Sequence, residues 1–162
     1  MKKILTMMAF VAIAMTINAQ NAVDLVTYDG PQFSVLHPKD YKDVVDPWDD
    51  AVNVWKKDDN HKLTVWYGDD VTPVDMLKLY GETVKMSKED SEDGTPAWKI
   101  DDPIVKDNIM MLRKVRDELV EYDYVVVIRD AEAFTGVMSF MLDEEATYLP
   151  VLEKILLTLK KK

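Results

Sequence analysis

The sequence predicts an α+β domain: an antiparallel β-sheet flanked by helices on both faces, an α/β/α sandwich. Three observations predict it. Segments alternating with period two follow one another through tight polar turns, which is the signature of antiparallel strands. One segment of helical spacing interrupts them and another closes the chain. The late strands carry apolar residues on both sides, so both faces of the sheet need cover. Strands, helix, strands, helix in that order build a sheet with helices on either side.

The chain opens on a segment that reports an address rather than a fold. Lys2 and Lys3 supply a charged start, and Ile4 to Ile17 form an apolar run too short to span a bilayer. Ile17-Asn18-Ala19 offers a small residue at a cut. Residues 1–19 are therefore expected to be a secretory signal peptide, with Gln20 as the new terminus and 20–162 as a single domain. With no cysteine in the chain, no lipid can be attached at that cut. The expected product is soluble, not lipid-anchored, and periplasmic or secreted, with no membrane insertion after cleavage.

About 143 residues remain, one ordinary domain, able to bury a core without disulfides. Loss of Lys2 and Lys3 takes the 20 basic residues to 18 against 30 acidic ones, a formal charge of −12. That field repels nucleic acid and anionic lipid and favours cations or basic partners. It also serves to keep an exported protein soluble.

Asp24 to Tyr28 and Phe33 to His37 read as short strands around an Asp29-Gly30-Pro31 turn. Pro38 to Asp50 is polar and reads as a loop. Ala51 to Lys57 and Lys62 to Tyr67 alternate around Asp58-Asp59-Asn60 and form a hairpin. Thr72-Pro73-Val74-Asp75 opens a helix, since threonine caps and proline suits the first helical position. Val74, Leu77, Tyr80 and Val84 share its apolar face. Ser87 to Gly94 is an acidic loop, and a short strand surrounds Trp98. Asp107 to Arg116 fits either periodicity, with strand favoured. Leu119 to Arg129 and Ala133 to Leu142 are long strands, the first apolar on both faces through Val125-Val126-Val127-Ile128. Tyr148, Leu149, Leu152, Ile155, Leu156 and Leu159 then give a helical stripe starting near Glu145 to Thr147, so Pro150 lies in its first turn. Lys160, Lys161 and Lys162 complement that helix's dipole.

Phe33-Ser34-Val35-Leu36-His37-Pro38, the Leu63-Thr64-Val65 strand, the pair Tyr122 to Ile128 and Phe134 to Leu142, and the closing Ile155-Leu156-Leu157-Thr158-Leu159-Lys160 together carry a resemblance. In this pattern of elements the mature chain is similar to the superfamily holding the PsbP proteins of photosynthesis and a Ran-binding nuclear import factor. Exported bacterial proteins of unknown role belong there too. The PsbP-like resemblance implies a binding or assembly factor rather than an enzyme. No family motif is matched, so no residue role is carried over.

Chemistry finds little support in the residues. His37 and His61 are the two histidines; Ser34 falls on the opposite strand face from His37, and His61 beside its turn is expected to be solvated. Two isolated histidines without cysteine do not reproduce zinc spacings, and the 5 glycines include no phosphate-binding cluster. Calcium is the one ligand with a candidate loop, formed by Glu89, Asp90, Glu92 and Asp93 around Ser91. Aligned on Gly94 as an EF-hand, the closing glutamate position falls on Ile100, so any calcium loop here is of another kind; a solvated acidic turn is the other reading.

Trp48, Trp55 and Trp66 cluster around the first hairpin and are the candidate partner-binding residues. Exposed on one face, Trp55 and Trp66 would form a hot-spot patch for a protein or a platform for a glycan; buried, they would be core. The leading expectation is a non-catalytic binding or assembly module in the cell envelope, recognising a protein or glycan through an acidic, aromatic-bearing surface. The alternatives are a small carboxylate-based hydrolase of a glycan or peptide, and a calcium-dependent structural domain.

Overall fold

The computed structural model describes residues 23–45, 52–68, 78–82, 96–129 and 131–162. Eleven strands lie in those residues: β1 (Leu25–Asp29), β2 (Phe33–Pro38), β3 (Lys42–Val45), β4 (Asn53–Lys56), β5 (Lys62–Gly68), β6 (Lys99–Ile100), β7 (Ile104–Lys106), β8 (Ile109–Arg116), β9 (Leu119–Arg129), β10 (Glu132–Met141) and β11 (Lys160–Lys161). A 3-10 turn, Leu142–Glu144, leads into the C-terminal helix, Glu145–Thr158. Residues 78–82 are helical. The expected signal peptide, residues 1–19, lies outside the described residues, as do Trp48, Glu89, Asp90, Glu92 and Asp93.

The main sheet is antiparallel and eight-stranded, in the order β3-β4-β5-β10-β9-β8-β6, with β7 also on β8. Local hairpins build most of it; the long-range step sets β5 beside β10, with Phe134 opposite Tyr67 and Met138 opposite Leu63. A second sheet, β1-β2-β11, is three-stranded. The small sheet and the C-terminal helix lie over the inner face of the main sheet. Period-two alternation puts Leu63, Val65, Tyr122, Tyr124, Phe134, Met138 and Phe140 on that face, where all are buried. Phe33 of β2 meets Phe134 edge-on at 5.5 Å, and Phe140 stacks on Tyr148 of the helix at 5.3 Å.

Apolar residues on the outer face are buried too. Met110, Val125 and Ala133 form a second cluster there, and Leu112 and Ser139 are buried on the same side. Helical cover is seen on the inner face, from the C-terminal helix.

Three readings of the sequence change here. Pro38 to Asp50 is not all loop, because Lys42–Val45 pairs with β4 as a fully exposed edge strand. Ile104–Lys106 is a further short edge strand, after Pro103. Lys160 and Lys161 do not extend the C-terminal helix: they pair with Ser34 and Phe33 as a strand. Lys161 then reaches Glu132 at 3.0 Å and Lys162 reaches Asp29 at 2.7 Å.

The helix is tied to β8 and β9 through its first residue. Arg113 grips Glu145 with two N–H donors at 2.6 and 2.8 Å, and donates to Asp101 at 2.7 Å. The Tyr122 hydroxyl donates to Glu145 at 2.6 Å. The Arg113 guanidinium holds the Glu145 carboxyl below the usual carboxylate range, against the opposing push of burial. Arg113→Ala therefore leaves a part-buried carboxylate with the Tyr122 hydroxyl but no cation and lowers stability by about 2 kcal/mol, less than for a fully buried pair because water reaches both groups. Glu145's contribution is whole above pH 4.5 and is lost as pH falls through its depressed native value. Chemical denaturation at several pH values checks this: the gap between wild type and variant should narrow on acidification.

Candidate functional site

The β4–β5 turn is built by Asp58. Its Oδ1 accepts the backbone N–H groups of Asn60 at 2.8 Å and His61 at 2.9 Å, an Asx-type turn that places His61 at the start of β5. The imidazole is not solvated: His61 is 7% exposed. Its Nδ1 faces both Asp58 carboxylate oxygens at 2.8 and 2.9 Å, and its Nε2 faces Glu144 Oε2 at 2.5 Å. An ionised carboxylate only accepts, so the form of the ring that satisfies both contacts at once is the imidazolium, with a proton on each nitrogen. Burial alone would lower its pKa; the hydrogen bonds and charges of Asp58 and Glu144 outweigh burial and raise it. The same contact pulls the Asp58 carboxyl down.

Glu144 reaches His61 because β10 runs straight into the 3-10 turn, whose Leu142 N–H bonds the Glu118 carbonyl at 2.7 Å. Consecutive acids thus hold opposite sides of the helix start, Glu144 on the β4–β5 turn and Glu145 on Arg113. Tyr148, one turn along the helix, sets its ring 5.6 Å from that of His61. Behind it the Tyr41 hydroxyl is buried with no partner in bonding geometry among the described residues, the Tyr148 hydroxyl being near. Burial pushes the Tyr41 phenol far up.

Two open clefts meet at this clasp and share Asp143 and Glu144 as their dividing wall. The larger, about 780 Å³, is lined by Val23, Asp24, Lys39, Asp40, Lys57, Thr147 and Tyr148 besides the shared pair. The smaller, about 510 Å³, adds His61, Glu118, Met141 and Leu142. Lys57 is paired with Asp40 at 3.2 Å. Asp24 and Asp143 are exposed, with no ion-pair partner among the described residues.

This arrangement suits holding a cation better than moving a proton. A histidine bonded through both nitrogens to carboxylates has no lone pair for a general base. Among the described residues the acid that burial pushes up is Asp123, on the outer face and paired with Lys114 at 2.9 Å. No group of three His, Asp or Glu there could hold a metal ion.

Trp55 and Trp66 do not share a face of the sheet. Trp55 lies opposite Leu63 on the inner face and is 1% exposed, stacked on His37 at 5.0 Å and edge-on to Tyr28 at 5.2 Å. Trp66 lies opposite Thr135 on the outer face, half-buried, with its ring folded over Gly68. One ring is core and the other belongs to the far side of the sheet. The site found instead was half visible in sequence, since the Asp58-x-x-His61 turn is local. Its other half, Glu144, is 83 residues away.

No family model matches the chain, and no curated protein matches it. Solved structures do. The cyanobacterial PsbP (CyanoP) of Synechocystis aligns over 86% of this chain and 94% of its own, with a TM-score of 0.61 and 15% identity. The Ran-binding protein Mog1p of Saccharomyces cerevisiae aligns over 86% of this chain and 96% of its own, with a TM-score of 0.54 and 10% identity. At such identities the likeness speaks for the backbone alone, and the chain has the PsbP-like fold that these two proteins share.

Proposed function

We propose that this chain is an exported, non-catalytic binding module that receives a basic protein partner at the acidic cleft beside His61. The observation that carries the reading is the pair of exposed carboxylates, Asp24 and Asp143, without an ion-pair partner among the described residues, on the walls of a cleft of about 780 Å³ where acids outnumber the lysines Lys39 and Lys57. The net charge of −10 on the whole chain draws a cationic partner toward it. Of the two structural neighbours, Mog1p is by name a binding protein for another protein, which supports the class of function and not the site. The leader-like start, Met1 to Ala19, supports export to the periplasm or beyond; among the described residues no helix is long and apolar enough to cross a membrane. In the same reading a helical layer that includes residues 78–82 covers the outer face, where Leu112 and Val125 are buried.

Capture from an envelope fraction tests this with two baits, the wild type and Asp24→Asn/Asp143→Asn. A basic protein retained by the first, released by moderate salt and at least tenfold depleted on the second is the expected result. Equal retention by both baits would remove the cleft from the account.

A further inference from the structure

We propose that His61 gates the cleft with a proton. While protonated it occupies Asp58 and Glu144; on losing the proton it releases Glu144 to a cationic group of the partner. The inference deepens the reading above and rests on it.

A neutral imidazole has one N–H, so it can keep one of its two carboxylates and must turn a lone pair on the other. Asp58 is the one retained, because it sits three residues away in the same turn and is fixed there by the Asn60 and His61 amides. Glu144 comes from another element and is held to the turn by Nε2. It lines both clefts, so its release adds a free carboxylate where Asp143 already stands. The other charged or titratable groups around the ring are Asp143 beside Glu144, Lys57 and Asp40, ion-paired with each other, Tyr41 and Tyr148, and Glu118 of the β8–β9 turn. None of them is placed by a hydrogen bond on either ring nitrogen, so the proton's occupancy is set by the two carboxylates against the opposing push of burial.

The signs follow from linkage. His61 binds its proton more tightly folded than unfolded, so the clasp's stabilisation is whole below pH 6.5 and is lost as pH rises through the raised native value. Proton and cationic partner compete for Glu144, and the competition is reciprocal: each weakens the other by the same factor. Affinity for a basic ligand should therefore rise with pH, the reverse of what general loss of structure would produce.

A short oligolysine peptide is the probe, with affinity measured by calorimetry at about pH 6 and about pH 8.5, on either side of a histidine titration. His61 is followed by NMR in the free and peptide-bound chain. Expected are several-fold tighter binding at the higher pH and a lower His61 midpoint with peptide bound. Both Glu144→Gln and His61→Gln, checked for native spectra, should flatten the pH dependence. Equal or weaker binding at the higher pH, or an unmoved His61 midpoint, overturns the gate. Binding of equal strength at both pH values sinks the gate alone, whereas no binding at either sinks the basic-partner reading beneath it.

Discussion

Trp55→Ala should cost about 3–5 kcal/mol of folding stability, the range for removing a large buried aromatic. The ring is 1% exposed and joins the small sheet to the main one, touching Tyr28 of β1 and His37 of β2 from its place on β4. Its removal opens a cavity between the layers that neither strand can close without leaving its own hydrogen-bonded partner. Trp66→Ala, on the outer face and half-buried, should cost less, about 1–2 kcal/mol. Urea unfolding of both variants checks the pair. A loss under about 1 kcal/mol for Trp55→Ala is what a surface ring would give, and it would return that ring to the list of contact residues.

Gly136→Ala should cost about 3 kcal/mol, from overpacking and a lost hydrogen bond together. Gly136 lies in the middle of β10, where a side chain would ordinarily strengthen the strand. A Cβ there would meet the Thr64 carbonyl oxygen and the Tyr124 hydroxyl. Those two groups are bonded to each other at 2.6 Å, and Tyr124 is fully buried, so neither can move away cheaply. Tyr124→Phe deletes the hydrogen bond without adding bulk and should cost about 1 kcal/mol. Thermal melting of the two variants separates the terms; equal losses would mean that the glycine permits no close approach.

The parts of the fold legible in sequence are those whose burial is one-sided or complete. β2 and β5 alternate against the core, β9 and β10 bury residues on both faces, and the C-terminal helix buries Tyr148, Leu152, Ile155 and Leu156 at helical spacing. Starting at Glu145, it takes Pro150 as its sixth residue, inside the helix and past the first turn where the sequence placed it. β3 and β7 were not legible for the opposite reason: each is a short edge strand with every residue exposed, so no periodicity marks it. The lysines at the end were misread because a strand of two lysines has no pattern of its own; β2 recruits it through backbone hydrogen bonds. Trp55 and Trp66 flank one turn, yet the registers with Leu63 and Thr135 send them to opposite faces. His61 was misplaced in solvent because its burial depends on Glu144, a residue that no local spacing connects to it.

An apolar edge competes with the acidic cleft for the role of contact surface. Leu157 is 73% exposed beside Ile104 at the far end of the C-terminal helix. A photo-crosslinking residue placed at Thr147, on the cleft wall, and in a second variant at Leu157 decides between them in the native host. The account predicts one basic protein crosslinked from position 147 and none of it from 157. The same partner crosslinked from 157 and absent at 147 would contradict it.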